Sequence, residues 1–145
     1  MTTFVHLRVH TEFSLVDSVV RVPELMDAAA AAGMPAIALT DEHNLFAMVK
    51  FYREALKQGI KPLIGVDLAV AEPGERSTAS RLTLLCMDDV GYRNLTRLVS
   101  RSYLEGQQRG APLVDRSWIT RDTTRGLIAL SGGTAGDVGR SLASG

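Results

Sequence analysis

Apolar residues in this chain fall into short runs separated by longer stretches with helical spacing. The runs beginning Phe4-Val-His-Leu-Arg-Val9, Ala36-Ile-Ala-Leu39, Pro62-Leu-Ile-Gly-Val66 and Leu82-Thr-Leu-Leu-Cys86, with the stretch at 126–130, have the length and branching of strands. They predict strands at 4–10, 36–40, 62–68, 81–86 and 126–130. Between the first two, Pro23 suits a first helical position, Leu25, Met26, Ala29 and Ala32 recur at helical spacing, and Gly33 stops the element. A second helix places Leu45, Met48, Val49, Tyr52 and Leu56 on a buried face, with Asn44 as its cap and Gly59 at its end. A third runs from about Asp89 to Tyr103, capped by Asp88 or Asp89, with Tyr92, Leu95, Leu98, Val99 and Tyr103 facing inward. Polar, Gly-containing connections are expected at 72–80 and 104–114, and a last helix from near Asp137 to Gly145. Strands alternating with helices predict an α/β fold of parallel strands joined by right-handed crossovers.

At 145 residues the chain is one domain's worth of polypeptide, long enough for a real core. Sixteen Lys and Arg balance sixteen Asp and Glu, which argues against a free-standing nonspecific DNA binder, because such binding depends on phosphate neutralisation. No apolar run approaches membrane-spanning length and no signal peptide is apparent, so the chain reads as cytoplasmic, with no membrane partner. Its one cysteine, Cys86, rules out an intrachain disulfide and reads as a small core residue.

Chemistry collects where strands end, as it does in α/β enzymes. His10-Thr-Glu-Phe-Ser-Leu-Val-Asp17 follows the first strand, Thr40-Asp41-Glu42-His43-Asn44 the second, and Asp67 the third. Any one Asp is as readily a cap or turn residue. Three acids at three successive strand ends, with His10 beside them, indicate a cleft. His6, Arg8 and His10 would share one face of a regular strand, with the two rings roughly 13 Å apart. His6 then reads as a packing or surface residue and His43 as a polar loop residue. Arg93, Arg97 and Arg101 line one side of the third helix, as a solvated face or as a contact strip for an acidic partner or a DNA backbone. The turn Leu130-Ser-Gly-Gly-Thr-Ala-Gly136 lacks the Gly-Lys-Ser/Thr ending of a nucleotide loop, and Trp118 reads as a core or docking aromatic.

His10-Thr-x-x-Ser14-x-x-Asp17, Thr40-Asp41-x-x-Asn44-Leu45 and Gly65-x-Asp67, in this order, resemble the motifs of the PHP (polymerase and histidinol phosphatase) domain. Gly91-Tyr92-x-Asn94-Leu95-x-x-Leu98-Val99-Ser100 and Leu130-Ser131-Gly-Gly133 are similar to the branch at the N-terminus of the alpha subunits of bacterial replicative DNA polymerases. The resemblance implies a distorted seven-stranded (β/α) barrel, of which residues 1–145 would supply an N-terminal portion of about five βα units. Such an incomplete barrel is expected to be marginal alone or to self-associate through an open sheet edge. It also implies a parent enzyme that extends DNA using Mg2+, with no catalytic residue in this segment and no cofactor of its own. The implied partners are the rest of the polymerase subunit, its proofreading exonuclease subunit, and DNA through the parent.

A metal-competent site of this family begins His-x-His, carries Asp-His in its second motif, ends its third on Glu, and takes a further His from the next strand. The corresponding positions here are Arg8, Glu42, Asp67 and Arg81. A guanidinium has no lone pair to offer and stays charged, so two arginines in the site oppose a divalent ion. The resemblance therefore implies a degenerate pocket of Arg8, His10, Asp17, Asp41, Glu42, Asp67 and Arg81, with the arginines neutralising carboxylates in place of metal. Arg8→Ala should then destabilise the fold. The alternative is an active metal-dependent phosphoesterase or 3′–5′ exonuclease holding its ions with His10, Asp17, Asp41, Glu42 and Asp67.

Overall fold

The computed structural model describes residues 4–73, 75–108 and 110–144, with the side chains of 75–78 outside that description. Gly74 and Gly145, placed by sequence in a connection and at a helix end, lie outside it. Two compact units divide the chain, Met1–Val66 and Asp67–Gly145.

In the first unit, α1 (Val22–Ala31) opens with proline in its first turn and ends before Gly33, whose φ of 66° only glycine adopts at no steric cost. Strand β1 (Ala36–Leu39) follows, then α2 (Met48–Lys57), then β2 (Lys61–Glu72), whose first residues pair in parallel with β1 from Ala36↔Lys61 to Leu39↔Ile64. The core consists of Val22, Met26 and Ala29 from α1, Ile37 and Leu39 from β1, Ala47 just before α2, Phe51 and Ala55 on it, and Ile60 after it. The buried stripe of α2 is therefore not the predicted one: Val49, Tyr52 and Leu56 are 60%, 46% and 58% exposed while Phe51 is wholly buried. Alanines at 47 and 55, four residues either side of Phe51, let that ring drop into the core.

No strand forms at 4–10. The segment lies beside β1, yet Ala38 N donates to His6 O (2.9 Å) and Thr40 N to Val9 O (2.9 Å), so three residues on one side answer two on the other. A bend at Leu7 absorbs the difference. The Thr40 hydroxyl patches the gap, accepting from Val9 N at 2.8 Å and donating to Val9 O at 3.1 Å. Period-two alternation is lost with the ladder, which removes the basis for placing positions 6, 8 and 10 on one face. His6 is exposed, edge-on to Phe4 with ring centroids 4.8 Å apart.

The second unit holds the rest of β2, β3 (Glu75–Cys86), α3 (Asp89–Leu104), β4 (Val114–Asp115), β5 (Leu127–Ser131) and α4 (Asp137–Ser144). The expected connection at 72–80 is instead mostly strand: β3 neighbours β2 and starts three residues after it ends. So short a link has no room for a crossover, and the all-parallel expectation fails here for that reason. β4 is parallel to β2 at Val70↔Val114, whereas β5 runs antiparallel to β3 from Leu82↔Ser131 to Cys86↔Leu127. The α/β class holds, with a sheet of parallel and antiparallel strands. Asp88 caps α3 by accepting from Gly91 N at 2.8 Å, and Leu95 and Leu98 are its buried apolar residues. Burial pushes the half-buried Cys86 thiol up to about 11, with Asp88 adding to the effect, so it stays protonated and inert at neutral pH. Among the described residues, no helix is long and apolar enough to cross a membrane.

Candidate functional site

The first unit gathers four of the seven pocket residues expected from sequence: His10, Asp17, Asp41 and Glu42. The organising group is Asp41, wholly buried at the end of β1. Its Oδ1 accepts from Thr11 N (2.6 Å) and Ser14 Oγ (2.7 Å), and its Oδ2 from Thr11 Oγ1 (2.8 Å). A carboxylate has about four lone-pair positions, so Asp41 has committed most of its capacity to holding the 10–17 turn. Ser14 Oγ in turn accepts from Glu42 N at 3.0 Å, tying the two motifs together a second time. Asn44 does not cap α2 directly. It is buried, donating to the carbonyls of Phe13 (3.0 Å) and Glu42 (2.9 Å) and accepting from Phe46 N (3.0 Å).

Around that frame, His10 Nδ1 is hydrogen-bonded to Asp17, with the imidazole nearly enclosed and the carboxylate at the surface. The turn bringing Asp17 back to His10 places Val16 at a φ of 75°. That conformation is poor for a β-branched side chain and stores on the order of 1–3 kcal/mol of strain. Ser18 Oγ donates to His10 O at 2.9 Å and helps to hold it. Glu42 completes a cluster in which one ligand atom each from His10, Asp17 and Glu42 lies within 4.8 Å of the others. His43, next to it, sits in the left-handed region at a φ of 55° as part of the turn. Arg8 is exposed.

The second unit holds Asp67 and Arg81. Asp67 is buried on β2, and its Oδ1 accepts from the Thr83 hydroxyl. Its Oδ2 faces the Arg81 guanidinium at 3.5 Å. Arg81 and Thr83 are two apart on β3 and so project from the same face of the sheet. Gly132 keeps the turn after β5 tight against this point, because a Cβ there would lie 2.4 Å from Arg81 O. That packing gives the Gly-rich turn a structural reason. Arg81 also borders a cavity of about 290 Å3 in which Arg116 is held by Asp137 at 2.9 Å and by Glu72 at 3.3 Å. The Arg116 hydrogen bond holds the pKa of Asp137 below the ordinary carboxylate range.

Thr11 and Thr83 are the participants that sequence reasoning passed over. Threonine hydroxyls carry no spacing signature. For Thr83 the clue was its place two residues from Arg81 on one strand.

These residues bear on which metals the site could hold. One imidazole and two carboxylates at His10, Asp17 and Glu42 form a donor set that suits a single divalent cation. Asp41 accepts three hydrogen bonds and Asp67 is engaged by Thr83 and Arg81.

The PHP domain family model matches residues 6–145. The DNA polymerase III subunit alpha of Pseudomonas aeruginosa is 50% identical over 143 residues, covering 99% of this chain and 12% of that protein. The proteins of the same name from Vibrio cholerae and Escherichia coli K12 are 46% and 45% identical, each covering 98% of this chain and 12% of the relative. The chain thus spans about 12% of the length of the curated relatives it matches. Among solved structures, an amidohydrolase from Chromobacterium violaceum with bound sulfate and no metal aligns with a TM-score of 0.53 at 22% identity, over 68% of this chain and 32% of that one. A protein from Bifidobacterium adolescentis, described as a metal-dependent phosphoesterase, aligns at 0.52 and 15% identity, over 69% of this chain and 32% of its own. At those identities the likeness concerns the fold, and it agrees with part of a PHP-type barrel. With its sequence motifs in order along the chain and the family model matching nearly all of it, this chain belongs to the PHP domain family.

Proposed function

We propose that this chain is the N-terminal PHP segment of a DNA polymerase III alpha subunit, and that it works as a scaffold, not as a catalyst. The parent subunit would extend DNA with Mg2+, and this segment would support its fold and dock the separate proofreading exonuclease subunit. The identity of 50% over 143 residues to a polymerase alpha subunit supports the first part. The observation that carries the scaffold reading is Arg81 set against buried Asp67: a fixed cation stands where a metal would otherwise balance that carboxylate. Asp41 supports it too, because its hydrogen bonds serve the backbone frame.

The docking role is tested by capture of the purified exonuclease subunit on the full-length polymerase subunit, with a deletion of the PHP region as control. Retention by the intact protein and loss with the deletion is the expected result. Equal retention by both would remove this region from docking.

The convergence of His10, Asp17 and Glu42 favours a second reading, a phosphoesterase or 3′–5′ exonuclease using metal held there. When bound, the ion would supply Lewis-acid activation. His10, Asp17 and Glu42 would hold it, and Asp41 would fix the loop that carries the first two. Manganese-dependent release of phosphate or a terminal nucleotide, abolished by Glu42→Gln, would establish this reading and overturn the scaffold one. Glu42 is a better probe than Asp41, whose loss also disturbs the fold. No manganese-dependent release is the outcome the scaffold reading predicts.

A further inference from the structure

The tip of the 10–17 turn is built against the preference of its own sequence. Val16 holds a φ of 75°, where a β-branched side chain crowds its own backbone. That side chain is fully exposed, so no packing offsets the strain, and Leu15 and Val19 nearby are strongly exposed too. Among the described residues, Val16 makes no hydrogen bond of its own. What fixes the tip lies just beyond it. Asp17 is hydrogen-bonded to His10, and its amide donates to Ser14 O at 3.0 Å. Ser18 N donates to the same carbonyl at 3.2 Å, and Ser18 Oγ to His10 O at 2.9 Å.

The base of the turn is held separately. Glu12 N donates to Val20 O at 2.8 Å, and buried Asp41 accepts from Thr11 and Ser14. None of these contacts involves Val16, Asp17 or Ser18. Strain at 16 and the bonds of 17 and 18 therefore oppose each other locally, above a frame with its own anchors. Backbone strain persists only where surrounding contacts over-determine it, and it gathers at clamps and elements with two states.

We propose that residues 15–18 form a strained latch with a closed and an open state. In the closed state Val16 is left-handed and Asp17 rests on His10. In the open state Val16 relaxes to the extended region that suits a branched side chain, and Asp17 leaves His10. The Glu12–Val20 bond and the bonds to Asp41 stay intact, so the opening is local and the unit stays folded. Rotation at one residue thus sets whether Asp17 stands beside the His10 ring. The inference concerns this loop alone and holds whether or not the pocket carries metal.

The test is amide hydrogen exchange of the full-length polypeptide, resolved to single residues by mass spectrometry and expressed as protection relative to an unstructured chain. In the unaltered protein the Asp17 and Ser18 amides should be about tenfold or more less protected than those of Thr11 and Glu12. Val16→Asn and Val16→Gly tolerate the left-handed region. Each should raise protection at Asp17 and Ser18 about tenfold and leave Thr11 and Glu12 unchanged. Val19→Asn makes the same exchange at an exposed position of the same loop that has no positive φ, and should leave protection where it was. Asp17→Ala should lower protection at Ser18, and Val16→Gly in the same chain should restore part of it, because the strain that drives opening is gone. The proposal is overturned if Asp17 and Ser18 are as protected as Thr11 and Glu12, or if neither Val16 variant raises their protection. It is equally overturned if Val19→Asn raises protection as much, or if Asp17→Ala leaves Ser18 unaffected.

Discussion

Replacing Asp41 with alanine is expected to cost about 3 kcal/mol or more of folding stability, although the residue sits where a metal-binding relative would use it for chemistry. The side chain is fully buried and accepts three hydrogen bonds, two from side-chain hydroxyls and one from the Thr11 amide. Removing it leaves those donors without water or protein acceptors, at about 1–3 kcal/mol for each group that cannot relax. The turn carrying His10 and Asp17 would lose its anchor, and the Val16 strain would then favour its opening. Asp41→Asn should cost less, because the amide keeps one oxygen for Thr11 N or Ser14 Oγ but turns an NH2 towards another donor. Urea denaturation of the two variants against the unaltered protein measures the difference. A loss below about 1 kcal/mol for the alanine variant would mean that Asp41 is not the structural centre of the first unit.

The second large effect is on α2. Phe51→Ala should cost about 3–5 kcal/mol, the range for emptying a fully enclosed aromatic site. Tyr52→Ala and Leu56→Ala, at 46% and 58% exposed side chains on the same helix, should each cost less than about 1 kcal/mol. The reverse ranking in thermal or urea melts would put the helix in the orientation that its sequence first suggested.

That contrast shows how the sequence misleads locally. From 45 to 56, α2 and its approach carry apolar residues on nearly every side, so 3.6-residue periodicity supports two stripes and the richer one, through Val49, Tyr52 and Leu56, is the exposed one. What decides is size: Ala47 and Ala55 make room for Phe51, and a count of apolar positions cannot register that. Helices α1 and α3 were legible because Pro23, Gly33 and Asp88 act through local backbone geometry. The stretch at 4–10 has the composition of a strand and lies where one would. Its alternation fails because Thr40 replaces a ladder bond with its hydroxyl, a contact 31 residues away that no local pattern encodes. The polar run from Ser77 to Ser80 reads as a loop, yet the short link after β2 makes it strand.

The site was more legible than the sheet, because acids at strand ends and His10 stand out as residue types. His10, Asp17, Asp41 and Glu42 do come together, and Arg81 does meet Asp67. Roles were harder to read. Asp41 looks like a ligand in sequence and serves as a hydrogen-bond hub, because Thr11 and Ser14 reach it only once the 10–17 turn has folded back. Arg8, expected to act with Arg81, follows the bend at Leu7 and is exposed.

The central claim is that a guanidinium, not a transition metal, balances the buried carboxylate of the third motif. Metal analysis of the full-length polypeptide, purified without chelators and combined with anomalous scattering from its crystals, tests this most directly. The account predicts well under one equivalent of zinc or manganese and Arg81 seated on Asp67. Ordered metal at Asp67, with Arg81 turned away, would contradict it.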